Sequence, residues 1–226
     1  MRVTVLIPCR GHARFLPDAI DSVLSQETIH DVRPFIVCDN DDDAFSVCKT
    51  FEGVSAVNLA EHSGVYVSLN TGLSKCGDFD WVTFCGADDL FTLDRVESLL
   101  GVPDLTWRSV LNSHHTKIDS DGLEIAKGVE ALGGVFMYHK KMLDRLGGFR
   151  PWPCSADTDL YNRAIRSGGR RTIVNKSSYR YRQHGDQLTH RDETRFGSPV
   201  RRAFEARMGD SVRYVKPKTA SVKETL

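Results

Sequence analysis

Two adjacent carboxylates, Asp88 and Asp89, follow the apolar run Trp81–Cys85. A short apolar run of aromatic and β-branched residues is typical of a buried strand. Ligands of open α/β sheets bind outside the carboxyl ends of the strands, so the acidic pair lies where a ligand site is expected. Carboxylate oxygens suit Mg²⁺ or Mn²⁺. Taken alone, the pair is equally typical of a solvated turn or a helix start, so the rest of the sequence has to decide.

The size and composition are those of a globular protein with one sizeable core. The chain has 226 residues, 40% of them hydrophobic and 27% charged, as in ordinary soluble proteins. No apolar stretch reaches the ~20 residues of a membrane helix. The opening Met1–Pro8 is a strand pattern that lacks the cleavage site of a signal peptide. We therefore expect a cytoplasmic protein without a transmembrane segment, whose scattered cysteines are buried thiols rather than disulfides or zinc ligands.

Charge is distributed unevenly along a chain whose formal net charge is zero. Residues 1–160 carry 14 Lys and Arg against 24 Asp and Glu, whereas residues 161–226 carry 16 against 6. Such asymmetry is typical of a surface for an anionic partner. It is equally typical of two halves that fold together and neutralise each other. The sequence leaves both interpretations open.

Strand and helix patterns alternate through the first 100 residues. Strands are expected over Arg2–Ile7, Pro34–Asp39 and Val54–Leu59 and in the run that ends at Cys85, with helices near residues 16–24, 44–51 and 65–76. Strands that alternate with helices favour parallel pairing with right-handed crossovers. The pattern therefore predicts an α/β fold in which a mostly parallel central sheet carries helices on both faces.

The pattern loosens past residue 100. Ser109–Lys117 and Leu123–Lys127 are expected to form a hairpin, because the Asp-Gly pair between them is a strong turn signal. Further expected elements are a strand over Leu132–His139, a helix over Ala156–Ser167 and short extended segments over Thr172–Val174 and Ser178–Arg182. The last part is polar and basic with one weak helical stretch. We therefore expect one domain over residues 1–190 and a peripheral or partly mobile tail over residues 191–226.

Several short blocks, taken together, resemble a known family. The opening Val3–Pro8 and Phe15–Gln26 are followed, in order, by Ile36–Asn40, Gly86–Asp89, the Gly147–Phe149 turn, Ser155–Leu160 and Tyr181–His184. In this order and spacing, over roughly residues 2–190, the chain resembles family 2 glycosyltransferases of the GT-A fold. The resemblance implies an inverting, metal-dependent enzyme. Such an enzyme moves a sugar from a nucleoside-diphosphate sugar, by default a UDP-sugar, to an acceptor hydroxyl.

The resemblance also implies which residues bind the donor. Asp39 matches the carboxylate that reads the nucleotide base, and Asn70 takes a family-like position near the nucleotide. Pro8 and Arg10 follow the first strand, where Arg10 could approach the donor phosphates. The alternative interpretation is that Arg10 is a solvent-exposed loop residue that binds no ligand. Arg182 is a natural phosphate partner, because guanidinium groups bind phosphate oxygens in pairs.

The metal and the catalytic base are implied in the same way. The expected cofactor is Mn²⁺ or Mg²⁺, with Asp88, Asp89 and His184 as ligands. The chain departs from the family's commonest pattern, Asp-x-Asp-Asp, because Gly86 replaces the first acid. Asp157, at the start of the late helix, matches the general base that takes the proton of the acceptor hydroxyl. An Asp at that place is also what helix capping selects.

Other functions remain as alternatives. A sugar-phosphate nucleotidyltransferase has a similar start, but its Gly-rich basic loop is not present in Pro8–His12. A degenerate protein that binds a nucleotide-sugar without turnover is suggested by Gly86. The expected acceptor is a glycan, lipid-linked or other hydroxyl compound. A hydroxylated nucleic-acid base is a further alternative, although the basic tail has few aromatic residues on which bases could stack.

Overall fold

The computed structural model describes residues 1–129, 133–208 and 214–226. The strands of these ranges are β1 (Arg2–Cys9), β2 (Asp31–Cys38), β3 (Ser55–Leu59), β4 (Trp81–Phe84), β5 (Leu90–Phe91), β6 (Ser109–Ile118), β7 (Glu124–Val129), β8 (Met137–His139), β9 (Arg170–Arg182) and β10 (Val222–Thr225). The α-helices are α1 (Leu16–Leu24), α2 (Asp42–Cys48), α3 (Val65–Lys75), α4 (Arg95–Leu100), α5 (Lys140–Leu146), α6 (Ala156–Arg166) and α7 (Pro199–Glu205).

All of these strands belong to one sheet. Their order is β10-β3-β2-β1-β4-β8-β6-β9-β5, with β7 beside β6. Strands β3, β2, β1 and β4 are parallel neighbours, as are β6 and β9. The other pairs are antiparallel. The α/β class is thereby confirmed, and the parallel half brings the carboxyl ends of β1, β2 and β4 to one edge.

Helices cover both faces of the sheet, as expected. Successive side chains of a strand point to opposite faces. Val5 and Ile7 of β1 accordingly pack in a cluster with Leu16 of α1, whereas Leu6 between them packs in a second cluster with Leu69 of α3. The near-continuous apolar sequence of β1 follows from this arrangement, because both of its faces are buried.

Most of the expected elements are present, with shifted limits. The hairpin is formed by β6 and β7, and the late helix is α6. The two short extended segments expected after residue 170 are one 13-residue strand, β9. The strand expected over Leu132–His139 is shorter, because Gly133–Val135 form a 3-10 turn and only β8 is extended. Leu132, the first residue of that prediction, lies outside the described residues.

The end of the chain packs against the sheet. Strand β10 forms one edge of the sheet and pairs with β3, and Leu226 exchanges two backbone hydrogen bonds with Ala56 at 2.8 and 3.2 Å. Helix α7 is joined to the start of α6, where Arg201 Nη1 donates to Ser155 Oγ at 3.0 Å. The sequence did not predict β10, because Val222–Thr225 has the polar composition of an exposed segment. How the chain divides into domains stays a prediction.

Two expectations from the sequence concern membrane-spanning helices and cysteine pairing, and the described residues bear on both. Helices α3 and α6 have 11 residues each. Within the described ranges, no helix combines the length and the apolar character that crossing a bilayer requires. The six cysteines are free thiols, and five of them are buried.

Candidate active site

A cavity of about 490 Å³ opens at the carboxyl ends of β1 and β2. Three residues predicted to bind a nucleotide, Pro8, Arg10 and Asp39, lie in its wall. His12 and His62 line it as well. The volume is typical of sites for small organic ligands. The structure therefore brings the first three predicted donor residues around one space.

The carboxylate of Asp39 is held by the turn between β3 and α3. Its Oδ1 accepts a hydrogen bond from the Ser63 amide at 2.7 Å, and its Oδ2 accepts one from the Gly64 amide at 2.9 Å. His62 Nδ1 lies 2.7 Å from Oδ2. Because an ionised carboxylate only accepts, Nδ1 of His62 donates in this contact. Gly64 has φ = +85°, a left-handed conformation that glycine adopts readily, and it lets the turn close over Asp39.

Arg10 supports the end of β2 from the neighbouring loop. Its Nη1 donates to the backbone carbonyls of Asp39 and Asn40 at 2.6 and 3.2 Å. The residue is nevertheless exposed and lines the cavity. Its other guanidinium nitrogens make no hydrogen bond to the described residues, so they are available to an anionic ligand.

Asp89 is directed into the protein. It is 5% exposed, and its Oδ1 accepts a hydrogen bond from the Arg182 amide at 2.8 Å. Its Oδ2 accepts one from the Tyr179 hydroxyl at 2.6 Å. Burial raises the pKa of Asp89, and the charge of Asp88 raises it further. Asp89 therefore anchors the turn Gly86–Asp89, the acidic turn, to β9.

Asp88 is instead directed towards two histidines. Its Oδ2 lies 2.8 Å from His184 Nε2 and 3.6 Å from His12 Nδ1. The three side chains could bind a metal ion, since their ligand atoms all lie within 4.8 Å of one another, and no other such group occurs among the described residues. Two imidazoles and one carboxylate fit a divalent transition metal. Of the ligands expected from the sequence, the structure brings Asp88 and His184 together and leaves Asp89 out, while His12 joins them.

Two of the residues predicted to bind the donor, Arg182 and Asn70, do not lie in the wall of this cavity. Arg182 is buried, and its Nε donates to the Asp88 carbonyl at 2.8 Å while its other nitrogens bond to further protein oxygens. Asn70 is buried as well, and it exchanges two hydrogen bonds with the backbone of Phe149 at 2.8 and 2.9 Å. That these side chains contact the donor stays a prediction. Arg182 supports the acidic turn, and Asn70 supports the Gly-Gly-Phe turn.

A second cavity of about 320 Å³ adjoins the first and shares Pro8 and Val65 with it. Its lining includes Asp157, at the start of α6, and Gly86 and Asp89 of the acidic turn. The structure therefore places the expected base and the acidic turn around one space. That space is large enough for a sugar ring.

Asp157 is oriented by a tyrosine rather than by its own helix. The Tyr66 hydroxyl donates to Asp157 Oδ1 at 2.6 Å, and Ser155, not Asp157, occupies the capping position of α6. Burial raises the pKa of Tyr66, and the charge of Asp157 raises it further, so the hydroxyl keeps its proton and remains a donor. Oδ2 of Asp157 has no hydrogen-bond partner in the described part of the chain. Capping of α6 therefore does not explain this carboxylate.

A side chain at Gly86, where the family's commonest pattern has its first acid, would collide with the two following carboxylates as they are placed here. A Cβ at this position would lie 2.6 Å from Asp89 Oδ2 and 2.7 Å from Asp88 Oδ1. The Gly86 amide also donates to the Tyr179 hydroxyl at 3.1 Å. The two carboxylates therefore fold back over the glycine, and a side chain there has to displace them.

We expect Gly86→Ala to lower the free energy of unfolding by about 1–3 kcal/mol, as overpacking does. The added methyl group has to move Asp89, whose Oδ2 is held by Tyr179. Urea unfolding measures the effect. Gly185→Ala is the matched control, because a Cβ at Gly185 meets nothing within 4 Å. Equal stability of both variants and the wild type would contradict this explanation of Gly86.

Four side chains of this site were not predicted. His12 and His62 lie in loops, where a single histidine has no pattern that distinguishes it from a surface residue. Their one usable signal is their position shortly after β1 and β3, at the edge where the site forms. Tyr66 and Tyr179 are buried in a helix and a strand. In the sequence they have the pattern of core residues, and only the structure reveals their carboxylate partners.

Comparisons with known proteins identify the family and the fold of the chain. The sequence model of the family described as Glycosyl transferase family 2 matches residues 4–165. The curated relative Glycosyltransferase GlyA of Streptococcus pneumoniae serotype 4 is 30% identical over 102 residues, which are 43% of this chain and 14% of the relative. The chain thus spans a small part of that protein's length.

Solved structures share the fold at low sequence identity. S. aureus TarS matches with a TM-score of 0.67 and 14% identity over 82% of this chain and 37% of that chain. S. aureus TarS 1-349 in complex with UDP matches with a TM-score of 0.65 and 14% identity over 82% and 61%. The same protein in complex with UDP-GlcNAc matches with a TM-score of 0.66 and 13% identity over 83% and 60%. Since the family match extends over 162 of the 226 residues, this chain belongs to glycosyl transferase family 2.

Proposed function

We propose that this chain transfers a sugar from a nucleoside-diphosphate sugar, by default a UDP-sugar, to an acceptor hydroxyl with inversion at the anomeric carbon. The observation that carries the proposal is the pair of adjoining cavities, with Asp39 in one and Asp157 in the other. The acidic turn lies beside both, because Asp89 lines the second cavity and Asp88 contacts His12 of the first. The arrangement suits a donor whose nucleotide and sugar occupy neighbouring spaces.

In the proposed donor complex, Asp39 accepts the ring N–H of the base, and Arg10 neutralises part of the phosphate charge. His12, Asp88 and His184 would hold Mn²⁺ or Mg²⁺. A divalent ion there supplies positive charge to the donor diphosphate as negative charge builds on it. UDP and UDP-GlcNAc bound to S. aureus TarS support a donor of this class.

In the proposed transfer, Asp157 acts as general base. The acceptor oxygen forms a bond to the anomeric carbon while its proton passes to Asp157. The bond from that carbon to the diphosphate oxygen breaks, and its electron pair leaves with the diphosphate. One displacement of this kind inverts the configuration. Tyr66 holds Oδ1 of Asp157, so Oδ2 remains for the acceptor hydroxyl.

Incubation with a panel of UDP-sugars, Mn²⁺ and simple hydroxyl acceptors tests the proposal. We expect UDP to be released, with an increase when the correct acceptor is present. Donor binding without release supports the degenerate binding protein instead. In a parallel incubation with added pyrophosphate, its consumption with formation of UTP and a sugar 1-phosphate supports the nucleotidyltransferase. If millimolar nucleotide and cation neither bind nor react, the enzymatic proposal is wrong.

The acceptor class and the compartment are part of the same proposal. A glycan, lipid-linked or other hydroxyl acceptor remains our choice, and the excess of basic residues after residue 160 is compatible with an anionic one. A nucleic-acid acceptor predicts DNA affinity that falls steeply with salt. Salt-insensitive or absent binding removes that alternative. The free thiols support a cytoplasmic location.

A further inference from the structure

The hydrogen bonds of Asp39 leave its carboxylate little capacity for a ligand. An ionised carboxylate has about four acceptor sites, two on each oxygen. His62 Nδ1 and the Gly64 amide occupy both sites of Oδ2, and the Ser63 amide occupies one of Oδ1. A nucleotide base can therefore use only the second site of Oδ1.

Nucleotide bases differ in the number of hydrogen-bond acceptors that they need from a carboxylate. Uracil and thymine carry one ring N–H between two carbonyl groups, which requires a single acceptor. Guanine carries a ring N–H and an amino group side by side, and these pair best with both oxygens of one carboxylate, as a guanidinium does. A carboxylate with one oxygen occupied therefore suits a pyrimidine dione and disfavours guanine.

His62 is the adjustable part of this arrangement. The other two contacts come from backbone amides and do not depend on side-chain identity. The His62 side chain is 56% exposed and lines the cavity beside Asp39, so it contributes little to the core. Its one hydrogen bond in the described residues joins Nδ1 to Oδ2 of Asp39.

We propose that His62 is a specificity residue of the donor site: its hydrogen bond to Oδ2 of Asp39 blocks two-point binding of guanine and favours a pyrimidine dione. The inference rests on the proposed function, since it concerns the same nucleotide site. His62 acts by excluding guanine, because a guanine N–H group that finds no acceptor in a desolvated site weakens binding.

The test is the ratio of the Kd for GDP to the Kd for UDP, measured by isothermal titration calorimetry with Mg²⁺ present throughout. We expect His62→Ala to lower this ratio about fivefold to tenfold, because one acceptor site of Oδ2 becomes available to guanine. His62→Gln keeps an N–H donor and is expected to retain much of the wild-type ratio. Ser63→Ala is the matched control, since Ser63 reaches Asp39 through its backbone amide.

The possible outcomes separate this inference from the proposed function. If the wild-type protein binds neither nucleotide, the proposed function itself fails. If the wild type prefers UDP but His62→Ala weakens both nucleotides in equal proportion, His62 has only a structural role and the inference is wrong. The inference is supported if the ratio of the Kd for GDP to the Kd for UDP falls in His62→Ala, equals the wild-type ratio in Ser63→Ala and is close to it in His62→Gln.

Discussion

Asp157→Asn is expected to lower the rate of sugar transfer by about 10²–10⁴-fold, the usual contribution of a positioned general base. The amide cannot take the proton of the acceptor hydroxyl, although it has nearly the same shape as the carboxylate. The Kd for UDP should change little, because Asp157 lines the smaller cavity and not the one that contains Asp39. Donor titration and initial rates with a saturating acceptor measure the two effects separately.

Two further variants test whether the loss of rate is specific to the carboxylate of Asp157. Tyr66→Phe removes the hydrogen bond to Asp157 Oδ1 and should give a smaller loss of rate, since the base is present but less well oriented. Asp186→Asn removes an exposed carboxylate that pairs with Arg14 and lines neither cavity, and it should transfer at the wild-type rate. Transfer by Asp157→Asn at the wild-type rate would exclude this residue as the base. A loss of UDP binding in the same variant would indicate a damaged fold.

The parallel half of the fold was predictable because its sequence signal is local. Both faces of β1 are buried, so its sequence is almost entirely apolar, and the apolar positions of α1 recur with the helical period. The same signal placed Asp39 and Asp88 at one edge of the sheet. Strand β10 carried no such signal, because it lies at the edge and its side chains are mostly exposed.

The direction of each side chain was not predictable, because it depends on partners that are remote in sequence. Arg182 and Asn70 follow the family pattern, yet their hydrogen bonds go to the acidic turn and to Phe149, not to a cavity. Adjacent carboxylates likewise separate: Asp89 is directed towards β9 and Asp88 towards two histidines. A sequence shows that these groups are near one another, but only packing decides which oxygen stays available.

Mn²⁺ is expected to bind this site more tightly than Mg²⁺, by about tenfold or more. Imidazole nitrogens are good ligands for transition metals, whereas Mg²⁺ requires oxygen ligands in near-ideal octahedral geometry. Two of the three candidate ligands, His12 and His184, are imidazoles. Titration of Mn²⁺ by electron paramagnetic resonance, with UDP present and Mg²⁺ as competitor, measures both affinities directly and does not depend on turnover.

Variants of this site test whether the ion is bound by His12, Asp88 and His184, or by Asp88 and His184 without His12. Asp88→Asn should weaken Mn²⁺ binding by about 100-fold or more, since even residues that only support a ligand contribute 10–100-fold. His12→Ala should weaken Mn²⁺ binding and reduce the preference over Mg²⁺, because an imidazole ligand is lost. His190→Ala, at an exposed histidine outside the group, is the control. If His12→Ala kept both the wild-type affinity and the preference, His12 would not be a ligand. The ion would then depend on Asp88 and His184, with Asp89 able to join only by giving up its hydrogen bonds to β9.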